Sequence, residues 1–113
     1  MIKGIGTDII SIQRISLEDN FVARILTADE IALLKAMTST ERQQEFLAGR
    51  FAAKEALMKA LGTGIGESSF HDFTILPDAK GQPQCMIKGY KVHLSISHDA
   101  GIAMASAVIE HEL

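Results

Sequence analysis

Four charged side chains on one predicted helix are the residues of this sequence most suited to chemistry. They are Arg50, Lys54, Glu55 and Lys59, in the segment RFAAKEALMKALGTGIG. Residues four apart are neighbours on a helix, so Arg50 lies next to Lys54, and Glu55 next to Lys59. Three cations around one carboxylate, ahead of a glycine-rich turn with outward backbone N–H groups, suit a phosphate-rich ligand with a metal ion. The alternative is a solvated helix with one Glu–Lys pair and an ordinary glycine stop.

Two further clusters of polar residues lie far from this helix in the sequence. Asp8 stands near the end of the first predicted strand, and Ser97 with His98 ends a later one. Strand ends and helix faces are rigid positions on which convergent sites are built. Each cluster also has a simpler explanation, because Asp8 could cap the next helix and His98 could be an ordinary turn residue. The presence of all three clusters favours a shared site.

The composition is that of one globular domain. The chain has 113 residues, 47% hydrophobic and 22% charged, which argues against disorder and fits a single domain over residues 1–113. A net charge of -3 disfavours a dedicated nucleic-acid binder. The single cysteine, Cys85, excludes an intramolecular disulfide and a thiolate zinc site, and is expected as a small buried residue in a strand. The sequence shows neither a signal-peptide pattern nor an apolar run that could span a bilayer, so we expect a cytoplasmic protein without membrane association.

The predicted elements place helices early and strands late. A strand is predicted over residues 1–10, and helices over 11–26, 28–37 and 40–61, the first of which Asn20 could interrupt. Capping patterns mark the starts of the last two helices, and Gly62 marks the end of the longest. Strands follow over 70–76, 84–90, 92–97 and 102–110, with turns at 77–81 and 98–101. The expected fold is α+β, with early helices, including one long central helix, packed on a mainly antiparallel sheet.

Three motifs in this order resemble those of the holo-[acyl-carrier-protein] synthases, which are small phosphopantetheinyl transferases. The motifs are GIGTDII, FLAGRFAAKEALMKALGTGIG and LSISHD. The resemblance covers almost the whole chain, including the FHDFTIL segment. It implies a 4′-phosphopantetheinyl transferase-like fold and a reaction of fatty acid biosynthesis. In that reaction, 4′-phosphopantetheine passes from coenzyme A to a serine hydroxyl of apo acyl carrier protein with the help of Mg²⁺, releasing adenosine 3′,5′-bisphosphate.

The resemblance also implies roles for individual residues. Asp8 and Glu55 are expected to hold Mg²⁺, which prefers carboxylate and phosphate oxygens. Lys59 is expected to contact the pyrophosphate and to stabilise or protonate the departing oxygen. Either Glu55 or a metal-bound water would take the proton from the incoming serine. The residues expected to bind coenzyme A are Arg50, Lys54, Ser97 and His98 at the adenosine-side phosphates, Gly62, Thr63 and Gly64 at the nucleotide, and Pro83 at the adenine.

A carrier-docking surface and a homotrimer are further implications of the resemblance. Acyl carrier proteins are acidic, and Arg14 matches the family's basic first helix, with Arg24 as a second candidate. Glu18 and Asp19 make this region less positive than the family pattern. A homotrimer with sites between subunits would compensate for the short chain, and the apolar run 102–109 could form its core or the core of one chain. Two alternatives stay open: a non-catalytic module that binds coenzyme A or nucleotides, and a structural oligomer.

Overall fold

The helices lie between the first strand and the remaining β-structure in the computed structural model, which describes residues 1–63 and 69–112. The strands are β1 (Ile2–Ser11), β2 (Leu76–Pro77), β3 (Pro83–Gln84), β4 (Tyr90–Asp99) and β5 (Ile102–His111). The helices are α1 (Asp19–Ile25), α2 (Ala28–Lys35) and α3 (Thr40–Leu61), and short 3₁₀ turns cover Ile12–Arg14 and Phe70–Asp72. The predicted α+β architecture, with one long helix on an antiparallel sheet, is confirmed.

Helix α3 begins and ends where its sequence signals predict. At its N-terminus the Arg42 N–H donates to Ser39 Oγ at 3.3 Å, an interaction that satisfies one of the unpaired amides of the first turn. At its C-terminus Gly62 adopts a φ of 78°, a left-handed conformation that glycine reaches without steric cost. The alanine-rich middle of the helix combines high helix propensity with side chains small enough for close packing.

The three long strands form an antiparallel sheet in the order β1-β5-β4. The central strand β5 turns alternate side chains towards α3, and these are fully or almost fully buried: Ala103, Ala105, Ala107 and Ile109. The residues between them face away from the helix. Strands β1 and β4 therefore form the two edges of a sheet that is covered by α3 on one face.

Strand β1 packs on α3 through backbone contacts. A Cβ atom on Gly4 would lie 1.9 Å from the Ala60 carbonyl oxygen, and one on Gly6 would lie 1.9 Å from that of Ala56. Two strand residues advance by about 6.6 Å and four helical residues by about 6 Å, so alternate strand positions meet successive helical turns. Asp8 is the next residue on the same face of the strand and is therefore directed towards the helix.

The predicted helix over residues 11–26 is wrong for most of its length. Strand β1 continues to Ser11, and the Ile12 N–H then donates to the Gly101 carbonyl oxygen at 2.9 Å. Only Asp19–Ile25 is α-helical. The sheet and the turn after it use backbone groups that a helix would need, so tertiary pairing overrides the local pattern.

Two predicted strands in the second half are much shorter than expected. Residues 70–76 begin as a 3₁₀ turn that the Ser69 N–H stabilises by donating to the Asp72 carboxylate at 2.9 Å, and only the short β2 follows. Of the predicted strand 84–90, only Gln84 belongs to β3, and a turn with Gly89 at a φ of 87° leads into β4. Local side-chain hydrogen bonds and turn geometry compete successfully with strand formation here.

Cys85 is buried as predicted, and burial raises the pKa of its thiol to about 11, but it follows β3 instead of lying within a strand. In residues 1–63 and 69–112, no helix combines the length and the apolar character that crossing a bilayer requires.

Replacing Gly6 by alanine tests the backbone contact between β1 and α3. The new methyl group would overlap the Ala56 carbonyl oxygen, so we expect the free energy of unfolding in urea to fall by at least about 2 kcal/mol. Gly49→Ala is the matched control, because its Cβ would meet only a side-chain methyl of Ile96, at 3.0 Å. Equal losses in the two variants would contradict a special role for the strand–helix contact.

Candidate functional site

The end of β1 and the last turns of α3 bring three charged residues together. Lys59 Nζ lies 3.2 Å from Asp8 Oδ1 and donates to the Thr7 carbonyl oxygen at 2.9 Å. Glu55, one turn earlier on α3, is close enough for its charge to interact with both Asp8 and Lys59. The Asp8 side chain is 17% exposed and that of Lys59 is 55% exposed, so this group of residues opens to solvent on its lysine side. We call Asp8, Glu55 and Lys59 the acidic cluster.

The two carboxylates of the acidic cluster repel each other. Burial raises the pKa of Glu55, the charge of Asp8 raises it further, and Lys59 opposes both effects. Two carboxylates and one ammonium leave negative charge that a divalent cation would neutralise.

The donor atoms of the acidic cluster suit Mg²⁺. This ion is usually bound by one or two carboxylates and completes its shell with water and phosphate oxygens. Within residues 1–63 and 69–112 there is no group of three or more His, Cys, Asp or Glu side chains that could hold a metal ion. An ion at Asp8 and Glu55 would therefore take further oxygen ligands from water and from a phosphate-bearing ligand. These residues fit such an ion.

A groove of about 180 Å³ lies between α3 and β4. Its lining includes the charged residues Arg42, Glu45 and Arg50, together with the imidazole of His98. His98 Nδ1 lies 3.6 Å from Glu45 Oε2, and the Arg50 guanidinium stacks on Phe46 with 4.3 Å between Cζ and the ring centroid. Two guanidinium groups and an imidazole around one cavity suit a phosphate, since guanidinium can make paired hydrogen bonds to phosphate oxygens. We call this cavity the cationic groove.

The sequence reasoning missed Arg42, Glu45 and Phe46. A signal for two of them was available, because Arg42, Phe46 and Arg50 follow one another at intervals of four and share one line on α3. No local pattern links Glu45 to His98, because helix and strand packing alone brings the two side chains together.

Two residues that were predicted to meet the adenosine-side phosphates lie elsewhere. Lys54 is 0% exposed and its Nζ pairs with Glu30 Oε1 at 2.6 Å, so the prediction that it faces a phosphate is wrong. Its side chain extends into the core, where the Ile25 carbonyl oxygen accepts a second hydrogen bond at 2.7 Å. Ser97 is exposed on the opposite face of β4 from His98, because successive strand residues alternate.

The glycine-rich segment after α3 is described only in part. The Gly62 N–H donates to the Lys59 carbonyl oxygen at 3.1 Å, and the Thr63 N–H to that of Met58 at 3.0 Å. These two amides close the helix end. The expectation that the backbone N–H groups of this turn point outward is therefore wrong for Gly62 and Thr63. Gly64 lies outside the described residues.

Three other predicted residues lie at the surface of the described chain. Pro83 in β3 lines a cavity of about 460 Å³ beside β4. Arg14 ends the 3₁₀ turn after β1, and Arg24 lies in the last turn of α1, both exposed. The expectation that they share one helix is wrong, because the chain between Arg14 and α1 has no regular secondary structure.

Comparison with known proteins identifies the family. Residues 4–108 match the family model of the 4′-phosphopantetheinyl transferase superfamily. The chain is 46% identical to the holo-[acyl-carrier-protein] synthase of Staphylococcus epidermidis, with 97% of each chain covered. It is 44% identical to that of Streptococcus agalactiae, with 99% of each covered. The chain therefore belongs to this superfamily and, within it, to the holo-[acyl-carrier-protein] synthase family that its three motifs resemble.

Solved structures agree with this assignment. A holo-(acyl-carrier-protein) synthase from Bacillus anthracis, in complex with CoA (3′,5′-ADP), shares 47% identity and superimposes with a TM-score of 0.92 over 99% of each chain. The synthase from Helicobacter pylori, in complex with coenzyme A, shares 37% identity with a TM-score of 0.81, covering 94% of this chain and 99% of that one. The predicted fold is confirmed by these structures.

Glu55→Gln is expected to stabilise the metal-free protein at neutral pH. The pKa of Glu55 is raised in the folded state, so stability falls as pH rises from the ordinary glutamate value through the raised one. The variant lacks this titration, and its advantage over the wild type should grow across that window and then stay constant. Urea unfolding with a chelator, between about pH 4 and about pH 8, measures it. Glu41→Gln, at the exposed start of α3, is the control, and a pH-independent difference for Glu55→Gln would contradict the account.

Proposed function

We propose that the chain transfers 4′-phosphopantetheine from coenzyme A to a serine hydroxyl of apo acyl carrier protein and releases adenosine 3′,5′-bisphosphate. The observation that carries the proposal is the acidic cluster, in which Asp8 from β1 meets Glu55 and Lys59 from α3. A cationic groove for phosphates and membership of a transferase family add to it. A module that only bound nucleotides would need the cations of the groove but not two mutually repelling carboxylates.

Asp8 and Glu55 are the residues that would hold Mg²⁺. Bound there, the ion would neutralise negative charge on the pyrophosphate and on the departing phosphate. Glu55 would also be suited to accept the proton of the serine hydroxyl at a carboxylate oxygen.

Lys59 would act on the leaving group. The serine oxygen forms a bond to the phosphorus that carries the pantetheine, and the bond from that phosphorus to the bridging pyrophosphate oxygen breaks. An ammonium group has three N–H donors, and within the described residues the Thr7 carbonyl oxygen and Asp8 accept two of them. The third can donate to the departing oxygen, which becomes part of the 5′-phosphate of adenosine 3′,5′-bisphosphate.

The cationic groove would bind phosphate on the adenosine side of coenzyme A. Arg42, Arg50 and His98 supply the donors, and Glu45 lies close enough to orient the imidazole. Pro83 and the segment Gly62–Gly64 keep the proposed roles beside the adenine and the nucleotide. Lys54 is not part of this proposal, because its charge is fully buried.

The acyl carrier protein would dock beside Arg14 and Arg24. Both side chains are exposed, and an acidic partner would be attracted to them. Glu18 and Asp19 are exposed between them, which weakens the positive potential of this surface.

Assembly into a homotrimer with sites between subunits would use the outer face of the sheet. Four exposed apolar residues lie on this face, at 64%, 67%, 37% and 43% exposure: Ile5, Ile9, Ile102 and Met104. In contrast, four residues of the apolar run 102–109 pack inside one chain: Ala103, Ala105, Ala107 and Ile109. The acidic cluster and the cationic groove lie at opposite edges of the sheet, at β1 and β4, so an interface could bring groups from two copies to one ligand.

A mass measurement on the carrier protein tests the reaction. Incubated with coenzyme A, Mg²⁺ and apo acyl carrier protein, the wild-type chain should add the mass of phosphopantetheine, and a chelator should prevent it. Glu55→Gln should fold and transfer at least roughly 100-fold more slowly, because it loses a carboxylate ligand and a base. Glu41→Gln on the same helix is the control. Coenzyme A binding without transfer would favour the binding module. A chain that showed neither binding nor transfer would favour the structural oligomer.

Sedimentation of Met104→Lys tests the assembly. A charge in the middle of the exposed apolar face should shift a wild-type trimer towards monomers at micromolar concentration, because a lysine buried at an interface loses its hydration. Met86→Lys is the matched control, since Met86 is 95% exposed and lies outside that face. A wild-type chain that sediments as a monomer would contradict the proposal of sites between subunits.

A further inference from the structure

A buried ion pair joins α2 to the helix that carries the proposed site. Lys54 Nζ lies 2.6 Å from Glu30 Oε1, and both side chains are 0% exposed. The same carboxylate oxygen accepts a hydrogen bond from the Thr27 N–H at 2.8 Å, and Lys54 donates a second one to the Ile25 carbonyl oxygen at 2.7 Å. Each charge is thus partnered by several polar groups, as a buried ion pair requires.

The second oxygen of the Glu30 carboxylate holds a peptide segment between α3 and β2. Glu30 Oε2 accepts a hydrogen bond from the Ile75 N–H at 2.8 Å. The carbonyl oxygen of Ile75 in turn accepts one from Arg50 Nε at 3.3 Å. Ile75 itself is fully buried, which fixes the position of its backbone. A chain of contacts therefore runs from Lys54 through Glu30 and the backbone of Ile75 to Arg50.

Arg50 is the last residue in this series of contacts, and it reaches the cationic groove. Its Nε atom is engaged by the Ile75 carbonyl oxygen, and one face of its guanidinium lies on Phe46. Burial lowers the pKa of Arg50 and the negative charge of Glu30 opposes that effect, so Glu30 offsets part of the cost of placing the guanidinium in a partly desolvated position. With Nε and one face held, the two terminal nitrogens have a restricted direction.

We propose that Glu30 is a positioning residue for coenzyme A binding: held by Lys54, it fixes the backbone of Ile75, and the Ile75 carbonyl oxygen aims the Arg50 guanidinium into the cationic groove. This inference rests on the proposed function, in which the groove takes a phosphate of coenzyme A. It gives Lys54 a role in the same site without any contact between Lys54 and the ligand. Preorganising a guanidinium strengthens binding because less freedom is lost when the phosphate arrives.

Glu30→Gln tests the proposal in the full-length protein. The dissociation constant of adenosine 3′,5′-bisphosphate and the KM for coenzyme A should rise about tenfold, the size of effect expected for a charged hydrogen-bond network. The kcat at saturating coenzyme A should change by less than about twofold, because the acidic cluster is untouched. Leu34→Ala, a buried truncation on the same helix away from the network, controls for general loosening. An equal loss of affinity in Leu34→Ala would overturn the proposal.

A double-mutant cycle with Arg50→Ala separates this proposal from the proposed function. If Glu30 acts through Arg50, Glu30→Gln will weaken nucleotide binding in the wild type and have no further effect in Arg50→Ala. Equal effects in both backgrounds would overturn the positioning role and leave the groove assignment standing. Unchanged nucleotide affinity in Arg50→Ala alone would instead refute the groove assignment, and the positioning role with it.

A second variant covers the case in which Glu30→Gln does not fold, since that change leaves the Lys54 charge without a counter-charge. Glu30→Met combined with Lys54→Met removes both charges and keeps the volume apolar, a replacement that folded proteins often tolerate. This double variant should be folded and should bind adenosine 3′,5′-bisphosphate about tenfold more weakly, because Ile75 has lost its acceptor. Wild-type affinity in the folded double variant would overturn the proposal.

Discussion

Close backbone packing between β1 and α3 is the constraint on which the candidate site depends. Gly4 and Gly6 leave no space for a Cβ atom against the carbonyl groups of Ala60 and Ala56. The strand therefore follows the helix so closely that Asp8, the next residue on that face, meets the last turns of α3. Any side chain at the glycines would move the strand outward and would separate Asp8 on β1 from Glu55 and Lys59 on α3.

The two lysines of the central motif show how burial divides chemically identical groups. Lys59 is more than half exposed and reaches from α3 to Asp8, where it partly offsets the repulsion between two carboxylates. Lys54 is fully buried and its charge is matched by Glu30. The acidic cluster leaves negative charge available to a ligand, and the repulsion between its two carboxylates lowers the stability of the protein when no ligand is bound. The buried pair is closed to ligands and fixes the distance between α2 and α3.

Local signals were sufficient for the helix and insufficient for the contacts around it. Ser39, the alanine-rich run and Gly62 define α3 because capping and propensity act over a few residues. The prediction of a helix over residues 11–26 failed because the first residues of this segment pair with a distant strand, and such pairing leaves little local trace. The same limit explains Lys54, since its partner Glu30 belongs to another helix and its burial depends on how the two helices pack.

The sequence alone determined the α+β class, the bounds of the long helix and, by the resemblance of three motifs, the family, and it predicted Asp8, Glu55 and Lys59 as site residues. These properties depend on residue type, short-range spacing and motif order, which one chain displays directly. Only the tertiary structure decided that Lys54 is a buried partner of Glu30, that Arg42 and Glu45 join His98 in a groove, and that the apolar run of β5 divides between core and surface. Those outcomes depend on which faces pack together, because burial and charge pairing are set by the neighbours that the fold brings to each side chain.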